Sequence, residues 1–174
     1  MGRRDRHLPI FAGPALWQID AMATAHGESA IHRKLIDSLY VEAMVLADDA
    51  RGYFDQAGRS ERDGLTPLER VSFSCESLKV TTRLMHIIAW LLTQRAVDAG
   101  EMPRRDALDP SRRLGKAPQS DPAVVAAMPE QAQALIAASA ELYRRVARLD
   151  AAQLDDNAPP SPARTMLDRL SHAF

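Results

Sequence analysis

The residues of this chain best suited to chemistry recur at three- and four-residue steps. Glu69, Ser72, Glu76, Lys79, Arg83 and His86 therefore share one face of a helix. Carboxylates beside an imidazole could hold a metal or move protons, and each chemistry needs a spacing of its own. A di-iron helical bundle requires paired Glu-x-x-His motifs, and neither Glu42 nor Glu76 has a histidine three residues on. His26 and His32 are six residues apart and do not share a helical face, which leaves them as surface histidines. No serine or cysteine sits in a nucleophile elbow, and no glycine-rich phosphate loop occurs. The expectation is a protein with no catalytic residue, no metal and no cofactor. The polar stripe then has two readings. The heavier one is a solvated face laced by Glu-Lys and Glu-Arg pairs; the other is a partner-binding surface on Lys79, Arg83 and His86.

The element that must carry this stripe runs from Thr66 to Gly100. Thr66-Pro67-Leu68-Glu69 combines a hydroxyl N-cap, proline at the first helical position and a Glu placed to close a capping box. Gly100 stands where a left-handed C-cap glycine belongs, and Pro103 follows it. Within the helix Leu68, Val71, Cys75, Leu78, Thr82, Met85, Ala89, Leu92 and Ala96 form a seam expected to face the core, with Cys75 buried as a small apolar residue. On that assignment Leu78→Ala would cost roughly 2–5 kcal/mol. A second stripe of Phe73, Val80, Leu84, Ile87, Trp90 and Leu91 widens the apolar face beyond one partner helix, and is expected to supply a homodimer interface.

Composition sets the class. The chain has 174 residues, 46% hydrophobic and 5% aromatic, with no run of alternating β-branched residues, which predicts an all-α fold. A net charge of −1 provides no field for nucleic acid or an anionic membrane, even though Arg104, Arg105, Arg112, Arg113 and Lys116 cluster in one loop. No stretch approaches the roughly 18 apolar residues of a membrane span, and the lone cysteine fits a reducing cytoplasm. The arginine-led start is not read as a secretory signal, because Pro9, Gly13 and Pro14 break its apolar run.

Three regions are expected. Residues 1–28 form an irregular N-terminal arm. Residues 29–150 form an antiparallel three-helix bundle around the long central helix. Residues 151–174 form a flexible tail. The first long helix starts near Ser29 and carries Ile36, Leu39, Tyr40, Ala43, Leu46, Ala47, Ala50, Tyr53 and Phe54 on one face. After a mobile, mildly basic loop over Glu101–Pro122, the third carries Met128, Ala132, Leu135, Ser139, Leu142, Val146 and Leu149. Beyond a proline linker, Met166, Leu167, Leu170 and Phe174 return at near-helical spacing. They either fold back on the bundle or recognise another protein.

Several blocks resemble the alphaproteobacterial regulator of CtrA degradation (RcdA) family, of the DUF1465 type. They are Leu39-Tyr40-Val41-Glu42-Ala43-Met44, Ala50-Arg51-Gly52-Tyr53-Phe54 and, above all, Glu76-Ser77-Leu78-Lys79-Val80-Thr81-Thr82-Arg83-Leu84-Met85. The likeness continues through Ala89-Trp90-Leu91-Leu92-Thr93-Gln94-Arg95-Ala96-Val97 and Gly100-Glu101-Met102, and covers roughly residues 30–150. It implies a dimeric helical bundle acting as a non-enzymatic adaptor, whose partners are protease machinery (ClpXP), a response-regulator-type adaptor and cargo proteins. The alternative is a bundle that binds a small molecule or metal.

Overall fold

A computed structural model of the chain describes the backbone of residues 16–156 and the side chains of residues 30–154. Among the described residues there is no strand, as expected of an all-α chain. Three long helices, α1 (Leu16–Gly52), α3 (Pro67–Asp98) and α6 (Glu130–Asp156), are joined by short ones: α2 (Arg59–Asp63), α4 (Arg104–Ala107) and α5 (Pro122–Ala126). None is long and apolar enough to cross a membrane. The chain divides into two compact units at Leu35 and Ile36. The described part of the first is the leading portion of α1, and the second holds the core, the groove and the cavity.

Helix α1 begins at Leu16, not near Ser29, so residues 16–28 are helical rather than irregular. Pro14 is the last helix breaker before a stretch of Ala and Met, and Gly27 by itself costs only about 1 kcal/mol. At its other end the helix widens into a π-turn over Tyr53–Ala57, where Gly58 N–H donates to the Tyr53 carbonyl at 2.8 Å. The widened turn brings Tyr53 and Phe54 together against Phe73 of α3, with ring centroids 5.2–6.0 Å apart.

Both ends of α3 carry the caps that the sequence announces. The Thr66 hydroxyl accepts from Glu69 N–H, and the Glu69 carboxylate accepts from Thr66 N–H at 2.8 Å, which completes the capping box. Gly100 takes a φ of +75°. The Glu101 and Gly100 N–H groups return to the carbonyls of Ala96 and Val97, the bond pattern of a Schellman stop.

Side-chain pairs give the helix directions. Arg95 of α3 pairs with Asp37 at 3.0 Å and lies over the Tyr40 ring, whereas Phe73 meets Phe54, so α1 and α3 are antiparallel. Helix α6 differs from the expected antiparallel arrangement. Arg83 bonds Ser139, Trp90 bonds Asp150 and Gln153 bonds Gln94, so the numbering of both helices rises together and α6 runs parallel to α3. The segment between them must therefore travel back along the bundle. It is held there, and is not the free basic loop that its charges suggested. Arg113 makes a two-pronged ion pair with Asp150 at 2.6 and 2.7 Å. The Tyr143 hydroxyl donates to the Gly115 carbonyl and accepts from Ala117 N–H.

The two apolar stripes of α3 exchange roles relative to expectation. Phe73, Val80, Leu84, Ile87, Trp90 and Leu91 are all buried in the core of the single chain, with Ile36, Leu39 and Ala43 of α1, Tyr53 of the π-turn, Met128 just before α6, and Ala132, Leu142 and Val146 of α6. They are therefore not available as a dimer surface. The expected core seam faces outward: Leu68, Val71, Leu78 and Met85 are 60–77% exposed, and Cys75 is exposed as well. In the core are Phe73, Glu76, Val80, Arg83, Ile87, Trp90 and Gln94, an unbroken alternation of three- and four-residue steps. Three polar members concealed it from a hydrophobicity reading. Leu78→Ala is accordingly expected to cost less than about 1 kcal/mol in urea unfolding, since it removes no buried contact. A loss above 2 kcal/mol would return Leu78 to the core.

Candidate interaction surface

The polar stripe separates into an exposed end and a buried centre. Glu69 serves the N-terminal cap, while Glu76 and Arg83 are 1% and 3% exposed. Burying two charges is tolerable only when each finds partners, and the return segment supplies them. Lys79 Nζ donates to Glu76 Oε1 at 2.7 Å, and the Ser120 hydroxyl donates to Oε2 at 2.5 Å. Ser120 in turn accepts from Arg83 Nη2, so one hydroxyl links the carboxylate to the guanidinium. Arg83 also donates through Nε and Nη2 to the Pro118 carbonyl, at 3.2 and 3.1 Å, and through Nη1 to Ser139 Oγ at 3.1 Å. Ser139 is satisfied by donating to the Ile136 carbonyl. Burial pulls the pKa of Arg83 below its ordinary value and the charge of Glu76 opposes that pull.

This cluster fastens α3, α6 and the return segment together, so two of the three residues of α3 expected to bind a partner are engaged within the chain. Lys79 is paired with Glu76, and Arg83 is enclosed. His86 is half-buried beneath Gly115: a Cβ there would lie 2.9 Å from the imidazole, so only glycine lets the segment pass so close. Met166, Leu167, Leu170 and Phe174 lie outside the described residues. The Glu-Lys pairing anticipated for a solvated face is present. The solvent is not, and nothing in the local sequence of α3 signals that the Pro118–Ser120 segment will cover it.

Large apolar side chains of α1 and α3 remain open to a partner. Leu68, Val71, Leu78, Met85 and Leu92 project from α3, and Val41, Met44 and Val45 from α1. Between the two helices is a groove of about 400 Å³ walled by Ala47, Ala50, Phe54, Leu84 and Ile88, with Leu78 and Met85 at its edge and Arg51 and Asp55 as its charged members. Contiguous exposed apolar surface of this kind marks interaction sites in folded proteins. Among the described residues no group of three or more His, Cys, Asp or Glu is placed to hold a metal.

The comparisons with known proteins agree with this architecture. The model of a family described as a protein of unknown function, DUF1465, matches residues 27–174. The chain belongs to the DUF1465 family. It is similar to the crystal structure of RcdA from Caulobacter crescentus CB15, at 34% identity and a TM-score of 0.56, over 68% of this chain and 90% of that one. No curated protein shows significant similarity. The resemblance read from the Glu76–Met85 block of α3 is thus shown, and this DUF1465 protein is RcdA-like.

Proposed function

We propose that this chain is a non-enzymatic, cytoplasmic protein-interaction adaptor that helps present protein substrates to a ClpXP-type protease, and that it works as a homodimer joined through the outward stripe of α3. The likeness to RcdA supports the adaptor class. The observation that carries the surface is the row Leu68, Val71, Leu78, Met85 and Leu92, exposed apolar groups on a helix whose buried charges are already paired. Two such rows face to face would remove from water the surface that a single copy leaves open. The tail with Met166, Leu167, Leu170 and Phe174 serves as the cargo- or protease-facing element in this reading, and fits the groove-binding mode of an amphipathic segment.

The double substitution Leu78→Asp with Met85→Asp tests it. Both positions are more than half exposed, so folding should be unchanged while the sedimentation coefficient falls to that of a monomer and capture of protease components drops at least tenfold. Undiminished association and capture by the variant would move the interface elsewhere.

A further inference from the structure

On the side of the bundle where the return segment meets α6, a second cavity of about 410 Å³ is lined by residues of different chemistry. Its apolar wall is Val125, Ile136, Ala137, Ala140 and the ring of Tyr143; its polar end is Arg83, with Ser120 beside it and Arg144 also in the lining. Two arginines contribute and no carboxylate does. Glu76 balances one neighbouring cation through Ser120, Glu141 pairs with Arg144, and the Asp121 carboxylate accepts from Ala123 N–H at the start of α5. Arg83 spends four of its five N–H groups on Pro118, Ser120 and Ser139, and one N–H on Nη1 is left over. A buried guanidinium with a remaining donor, at the polar end of an apolar slot of this size, is the composition of a small-ligand site.

We infer that this cavity binds a small organic monocarboxylate with a medium-length apolar body, its carboxylate at the remaining Nη1 N–H of Arg83 and its chain along Val125, Ile136 and Ala140. A free acid fits better than a peptide terminus. The charged groups of the lining are all donors, which suits an acceptor head, whereas the run of amide N–H groups of a peptide would find side-chain amide acceptors only at Gln119 and Gln133 among the lining residues. The cavity shares no lining residue with the α1–α3 groove, so the adaptor surface and this site stand or fall separately.

Titration of sodium octanoate into the full chain, followed by amide chemical shifts and calorimetry, is the test. Saturable binding is expected, with the largest shifts at Ala117, Gln119, Ser120 and Ala140, and with octanol at least tenfold weaker. Ala140→Trp, which fills the slot from the helix without touching Arg83, should abolish binding while circular dichroism stays unchanged. Arg144→Glu should weaken octanoate several-fold and leave octanol unaffected. Equal binding of octanol and octanoate, full binding by Ala140→Trp, shifts scattered over the chain, or tighter binding of a short apolar peptide with a free C-terminus would each overturn the assignment.

Discussion

Arg83→Ala is expected to lower the unfolding free energy by about 3–5 kcal/mol, a large share of the roughly 5–15 kcal/mol that holds a domain of this size. The substitution removes four hydrogen bonds at once. It leaves the Pro118 carbonyl without its guanidinium donors and deprives Glu76, 1% exposed, of one of its two neighbouring positive charges, Lys79 being the other. Because these bonds also tie residues 118–120 to α3 and α6, amide exchange in the return segment should quicken along with the fall in stability. Much of the cost belongs to the partners left behind. Arg83→Met combined with Glu76→Gln should therefore lose less than the sum of the two single changes, by more than about 1 kcal/mol in a double-mutant cycle. Urea unfolding measures both quantities. A loss below 1 kcal/mol for Arg83→Ala would mean that the guanidinium is solvated and the cluster is not a fastening.

Trp90→Ala is expected to cost a similar 3–5 kcal/mol for a different reason. The indole is 1% exposed and belongs to the core cluster, so its removal leaves a cavity that rigid neighbouring helices fill only in part. Its N–H also donates to Asp150 at 2.7 Å. That bond is the smaller part of the cost, because Asp150 keeps both prongs of Arg113 when the indole is absent. Trp90→Phe should accordingly lose only about 1–2 kcal/mol, the hydrogen bond and a little volume. Thermal melts of the two variants side by side decide the point, and equal losses would make the hydrogen bond, rather than packing, the main contribution of Trp90.

Much of this molecule was legible in the chain alone. The ends of α3 were readable because caps are local: Thr66, Pro67, Glu69 and Gly100 act on backbone groups within a few residues of themselves. The buried faces of α1 and α6 were readable because their apolar positions are almost uninterrupted, from Ile36 to Ala50 and from Ala132 to Val146. The family was visible in the block from Glu76 to Met85.

Which face of α3 lies inside was decided only by the tertiary structure. Two stripes shared the same three- and four-residue spacing, and the one with more apolar members lost, because Glu76, Arg83 and Gln94 in the other find partners from distant parts of the chain. Burial of a charge depends on whether a complementary group arrives from elsewhere, and Ser120 and Ser139 are 44 and 56 residues from the groups that they satisfy. The direction of α6 has the same origin: a linker long enough to run back along the bundle permits either orientation, and the Arg113–Asp150 and Tyr143–Gly115 contacts select the parallel one. Local sequence specifies helices and their ends, whereas the pairing of groups far apart in the chain specifies which of their faces meets water.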